Sequence, residues 1–106
     1  MSFPIEIHFR GMTPSESVER QVREWAEKLE TTSSRVLRCV VALELPHKHH
    51  RHGARFDARV ELAVPGTTLV VSGEHEDAHG AIKDAFEAAR RRLHDHVESR
   101  REGARA

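Results

Sequence analysis

The sequence predicts an α+β fold, a two-layer α/β sandwich in which a four-stranded mixed sheet carries both helices on one face. Three observations lead there. The period of the apolar residues switches between two and about 3.6 in the order β-α-β-β-β-α. Each helical stretch has a single apolar stripe, so each must lie on something. The strands alternate apolar with charged residues, which leaves one face of the sheet polar and the other free to receive the helices.

In the first strand Phe3, Ile5, Ile7 and Phe9 alternate with Glu6, His8 and Arg10, and Gly11 ends it. Thr13-Pro14-Ser15-Glu16 then reads as a helix start, with Thr13 as cap, Pro14 in the first turn and Glu16 reaching back as capping-box partner. The helix runs to about Glu30 with Val18, Val22, Trp25 or Ala26, and Leu29 inward. Trp25 reads as a core or edge residue rather than a base-stacking platform. After the polar break Thr31–Ser34, the stretch Arg35–Leu45 places Leu37, Cys39, Val41, Leu43 and Leu45 on one face, and Pro46 stops it. His47–Gly53 reads as a polar hairpin tip. From Arg55 to Val64 the residues Phe56, Ala58, Val60, Leu62 and Val64 face in, and Arg55, Asp57, Arg59 and Glu61 face out. Pro65-Gly66 makes a type II turn with Gly at the position that needs positive φ, and Thr68–Gly73 is the last strand. The last helix, within His75–Arg101, has Ala78, Ile82, Ala85, Phe86, Ala89, Leu93 and Val97 on one face. Asp77 is its N-cap and Gly103 its stop. A helical crossover joins the first two strands, so that pair should be parallel.

The 106 residues suffice for one domain, expected over 1–102 with 103–106 as a short tail. Formal net charge is zero, which argues against nucleic-acid binding driven by bulk charge and leaves a local patch as the alternative. Fourteen Arg stand against three Lys, a choice that suits forked contacts to phosphate, although a GC-rich genome also produces it. The single Cys39 excludes an internal disulfide and a Cys-based zinc site, and reads as a small core residue. With no long apolar run and no signal sequence, the expected compartment is the cytoplasm, with no membrane partner.

Three constellations carry chemistry. His75-Glu76-Asp77-Ala78-His79 matches H-E-x-x-H, in which two His one helical turn apart hold zinc and the Glu activates water. A metal-dependent hydrolase using His75, His79 and the His-rich hairpin is therefore the alternative reading. At a helix start the same acids serve as cap and dipole partners, and no third ligand is evident. His47, His49, His50 and His52 could hold a divalent metal, but a solvated tip is the favoured reading and no metal or cofactor is expected. The same tip, with Lys48 and Arg51, is a basic finger that would touch phosphates more strongly as pH falls. The third set is Arg20, Arg23 and Lys28 on the first helix with Arg90, Arg91 and Arg92 on the second, either a phosphate-binding surface or a solvated one with pairs such as Glu87–Arg91.

Several short motifs run through this layout: the Thr13-Pro14 helix start, Glu27-Lys28-Leu29-Glu30, Val64-Pro65-Gly66, Gly73-Glu74-His75-Glu76-Asp77, Ala81-Ile82 and Arg91-Arg92-Leu93. In order and spacing they resemble the ribosome hibernation promoting factor family, also called ribosome-associated inhibitor A or sigma-54 modulation proteins. The resemblance covers Ile5 to about Val97. It implies a fold similar to double-stranded RNA-binding domains. It also implies a non-enzymatic stress-response factor that binds the small ribosomal subunit, its 16S-type ribosomal RNA and neighbouring ribosomal proteins. Occupancy of the channel for messenger and transfer RNA would inhibit translation. Lys28, Arg91 and Arg92 fall on matching helix positions, Arg92 replacing a usual Gln; Arg20, Arg23 and Arg90 are added from the residues alone. His79 stands where a Tyr is usual, Ala88 where a basic residue is common, and His94-Asp95-His96-Val97 where the helix end is usually Lys/Arg-rich. The length resembles a short form without a dimerisation domain, and a weak homodimer through the polar sheet face is compatible with the pattern.

Overall fold

A computed structural model describes residues 3–46 and 55–105, with side chains through residue 100. The elements are β1 (Ile5–Arg10), α1 (Glu16–Thr32), β2 (Arg38–Glu44), β3 (Phe56–Val64), β4 (Thr67–His75) and α2 (Ala78–Arg105). One sheet has the order β1-β2-β3-β4, with β1 and β2 parallel and the other neighbours antiparallel. Both helices pack on one face of it, as the sequence predicts. The His47–Gly53 hairpin tip lies outside the described residues.

The alternation in β3 and β4 explains how the sheet closes over its core. Ala58, Val60, Leu62, Val64 and Leu69 are buried beneath Ala81, Ile82, Ala85, Phe86, Ala89 and Leu93 of α2 and Val18, Val22, Ala26 and Leu29 of α1. Gly66 has φ 88°, the left-handed value that the second central residue of the β3–β4 turn requires. Gly73 allows α2 to lie directly on β4, because a Cβ there would stand 2.6 Å from the Ala85 backbone nitrogen.

Three expectations are corrected. The cap of α1 is Ser15, not Thr13: its hydroxyl accepts from the Val18 N–H at 3.2 Å. Ser caps as well as Thr, and the later start leaves Met12 free to fold against the core. Leu37 is 57% exposed, and Val36 takes the buried place. The Leu37 N–H bonds the Ala63 carbonyl at 2.7 Å, while the ladder pairs Arg38 with Ala63. The strand entry is therefore out of alternation, and Leu45 at the other end is only half-buried. Gly103 does not stop α2, which continues to Arg105. Gly11 and Gly66 are the glycines with positive φ among the described residues, so Gly103 sits in the helix at a cost of about 1 kcal/mol relative to Ala.

Candidate nucleic-acid interface

Residues step by about 100° around a helix, so three consecutive Arg on α2 splay over a wide arc. Arg90 and Arg91 turn toward α1 and line a groove of about 740 Å³ with Thr31 and Thr32 from the end of α1, Glu87, His94 and Asp95. Arg92 is exposed on the turn but is not among the groove residues. At the head of the groove the two helices are joined by a stack. The Trp25 and Phe86 rings lie 5.9 Å apart at 12°, and the Lys28 ammonium sits 4.5 Å from the Trp25 centroid. Trp25 is thus engaged by Phe86 and Lys28, in line with its reading as an edge residue. Arg20 and Arg23 are exposed on α1 outside the groove.

On the helix layer Arg20, Arg23, Lys28, Arg90, Arg91 and Arg92 have no carboxylate partner among the described residues, whereas Lys83 is paired. On the sheet, Arg38 meets Glu6 at 2.5 Å, Arg59 meets Glu61 at 3.1 Å and Arg55 meets Glu74 at 3.4 Å. The anticipated Glu87–Arg91 pair does not form. Glu87 instead meets Lys83 at 3.5 Å. The Arg38 guanidinium bonds Glu6 and holds its carboxyl below the usual value of 4.5. Burial pushes the Cys39 thiol up to about 12, which fits a core residue and not a reactive one.

The H-E-x-x-H reading is overturned by where the helix begins. His75 ends β4, and α2 starts at Ala78, so the two imidazoles are not one helical turn apart. His75 Nδ1 accepts from the Asp77 N–H at 3.1 Å. Asp77 caps α2 as expected, accepting from Gly80 N–H at 3.1 Å. His79 turns to α1, where its Nδ1–H donates to Gln21 Oε1 at 2.7 Å and its Nε2 accepts from the Ser17 hydroxyl at 3.2 Å. The Gln21 amide N–H in turn donates to the His79 carbonyl at 2.9 Å, which fixes the amide orientation and hence the tautomer. No group of three His, Cys, Asp or Glu that could hold a metal occurs among the described residues. The candidates Lys48, Arg51, His47, His49, His50 and His52 lie outside the described residues.

A family model described as sigma 54 modulation protein / S30EA ribosomal protein matches residues 5–101. The chain belongs to this family. Its members are non-enzymatic, ribosome-associated factors. The fold is similar to that of the Protein Y N-terminal domain from Thermus thermophilus, with TM-score 0.72 and 19% identity over 85% of this chain and 93% of that one. It is also similar to a ribosomal subunit interface protein from Coxiella burnetii, with TM-score 0.74 and 10% identity over 90% of this chain and 98% of that one. At these identities the likeness shows the shared fold. No curated protein matches the chain. No helix among the described residues is long and apolar enough to cross a membrane.

In this S30EA-family chain, sequence reasoning passed over Thr31, Thr32 and His94 as groove residues, and Ser17 and Gln21 as the clamp on His79. The threonines read as a polar break and lie some sixty residues from their α2 neighbours. Only the packing of α1 against α2 brings them together.

Proposed function

We propose that this family member binds the small ribosomal subunit through its α1–α2 layer, in the channel where messenger and transfer RNA sit, and inhibits translation in the cytoplasm by occupancy during stress. The observation that carries the reading is the row of exposed cations Arg20, Arg23, Lys28, Arg90, Arg91 and Arg92 on that layer, without carboxylate partners among the described residues, set beside a sheet on which Arg38, Arg55 and Arg59 are paired. A guanidinium already bonded to a carboxylate gains little from phosphate, whereas a solvated one releases counterions when it meets RNA. Lys28, Arg90 and Arg91 form the centre of the contact at the groove, Arg20 and Arg23 extend it along α1, and Arg92 extends it on the other flank. Lys48 and Arg51 add phosphate contacts from the His-rich stretch. Contacts of this kind read shape and phosphate rather than base sequence. No bond is made or broken, and neither metal nor cofactor takes part.

Co-sedimentation with purified small subunits over a salt series tests this. Affinity should fall steeply with salt, and Lys28→Ala and Arg91→Ala should each lower the slope by about one. A chelator should change nothing. Absence of binding at low salt overturns the proposal.

A further inference from the structure

The groove holding Arg90 and Arg91 does not end at Thr31 and Thr32. The same threonines form the lip of a second cleft of about 700 Å³. It exists because α1 stops at Thr32 while α2 runs on to Arg105, so the apolar stripe of α2 beyond Leu93 has no helix beside it. Its floor is Val64, Pro65, Leu93 and Val97. Arg35 and Arg100 stand at its rim, with Ser34 between the elements and Glu30 as the carboxylate of the lining. Among the described residues Arg35 has no carboxylate partner, and Arg100 makes only a long 3.5 Å bond to the Pro65 carbonyl. His96 lines the cleft too, and its Nε2 is buried with no hydrogen-bond partner among the described residues. A buried polar atom left in that state costs free energy until something pairs with it.

We propose that this cleft accepts one unstacked nucleobase of the RNA strand whose phosphates lie on Arg90 and Arg91. The inference rests on the ribosomal-RNA reading above. The volume is within the range of small-ligand sites. A flat ring suits the apolar floor, and its polar edge supplies the partner that His96 Nε2 lacks after a small turn of the imidazole. Arg35 and Arg100 flank the opening where the phosphates on either side of a splayed base would pass. Thr31 and Thr32 border both cavities, so one strand can lie in the groove and drop a base into the cleft without crossing another element. A purely apolar occupant would leave both arginines and the imidazole nitrogen unused.

The test compares wild type, Ser34→Trp, which closes the rim with a ring, and His96→Phe, which removes the nitrogen and keeps the shape. Each is measured for co-sedimentation with small subunits over a salt series, and for protection of ribosomal bases from base-specific chemical modification. Ser34→Trp should lose about tenfold in affinity with an unchanged salt slope, the signature of a lost base contact rather than a lost phosphate contact. One base protected by wild type should become reactive again in the Ser34→Trp complex. His96→Phe should lose several-fold in affinity, as expected for one base-edge contact, without loss of thermal stability. Variants with wild-type affinity and footprint overturn the cleft and leave the ribosome reading standing. Wild type that fails to bind subunits at low salt overturns both.

Discussion

The two faces of the molecule carry the same kind of charge in opposite states. On the sheet, Arg38, Arg55 and Arg59 each meet a carboxylate within 2.5 to 3.4 Å. On the helices, Arg20, Arg23, Arg90, Arg91 and Arg92 have none among the described residues. Net charge is zero for the chain as a whole, yet the helix layer can still present free cations because part of the cationic charge, on Arg38, Arg55 and Arg59, is already matched on the sheet. For recognition of a phosphate surface, what counts is which charges are already committed.

The comparison can be broken most severely from beneath. Phe86 is fully buried under Trp25 and joins the two helices, so Phe86→Ala should cost about 3–5 kcal/mol in chemical denaturation. Of next size is the double substitution of Arg90 and Arg91 by Ala, which should lower the salt slope of subunit binding by about two and leave stability unchanged. Arg38→Ala with Arg59→Ala should leave that binding as it was; an equal loss from the sheet pair would erase the contrast between the faces. Smaller still is the clamp at the start of α2. His79→Ala removes exposed bonds to Ser17 and Gln21 and should cost about 1 kcal/mol. His79→Phe should cost the same if the polar bonds and not the ring are what matter.

The smallest effect is the acid titration of the sheet face. The Glu6 carboxyl is held below 4.5 by Arg38. A depressed value in the fold means that the pair contributes stability above the unfolded value and loses it as pH falls through the folded one. Glu6 is fully exposed, so solvent screens most of this. NMR titration should find the Glu6 midpoint below 4.5 in wild type and raised toward it in Arg38→Ala. The Cys39 thiol shows the opposite sign. Raised to about 12, it stays neutral in the fold while the unfolded thiol ionises from its ordinary value of 9.0 upward, so stability should decline above that pH.

Much of the fold was legible because it depends on local periodicity. The clean alternation of Phe56 to Val64 and the spacing of Ala78 to Leu93 each point to one face, and both faces are where they were expected. The misses share a cause. Leu37 obeys the period of β2, but the pairing at the strand entry breaks alternation there. Thr13 and Ser15 are equivalent caps by type, and only packing around Met12 separates them. The zinc-like pattern holds two His at helical spacing, yet the helix begins between them. For the candidate site, the sequence indicated which residues are cationic. It could not indicate that Arg90 and Arg91 share a groove with Thr31 and Thr32 while Arg92 lies outside it, because that depends on how two helices far apart in the chain are rotated against each other.

The unequal length of the layers has a mechanical consequence. A helix of 28 residues spans about 42 Å, whereas the nine-residue strand β4 spans about 30 Å, so the far end of α2 is a cantilever. Its root is Gly73, where helix and strand touch, and the Gln21–His79 clamp one turn before. From that root to Arg100 is about 30 Å, so a tilt of about 5° would swing the guanidinium by about 2–3 Å. Contacts to a rigid lattice of phosphates tolerate much less. The alignment of the distal arginines is therefore sensitive not only to the Leu93, Val97 and Arg100 contacts beside Pro65 but also to the opposite end of the helix, to a residue that has no side chain and an imidazole that need not touch RNA. A methyl group at position 73 should act as a wedge, detuning a binding surface that it never meets.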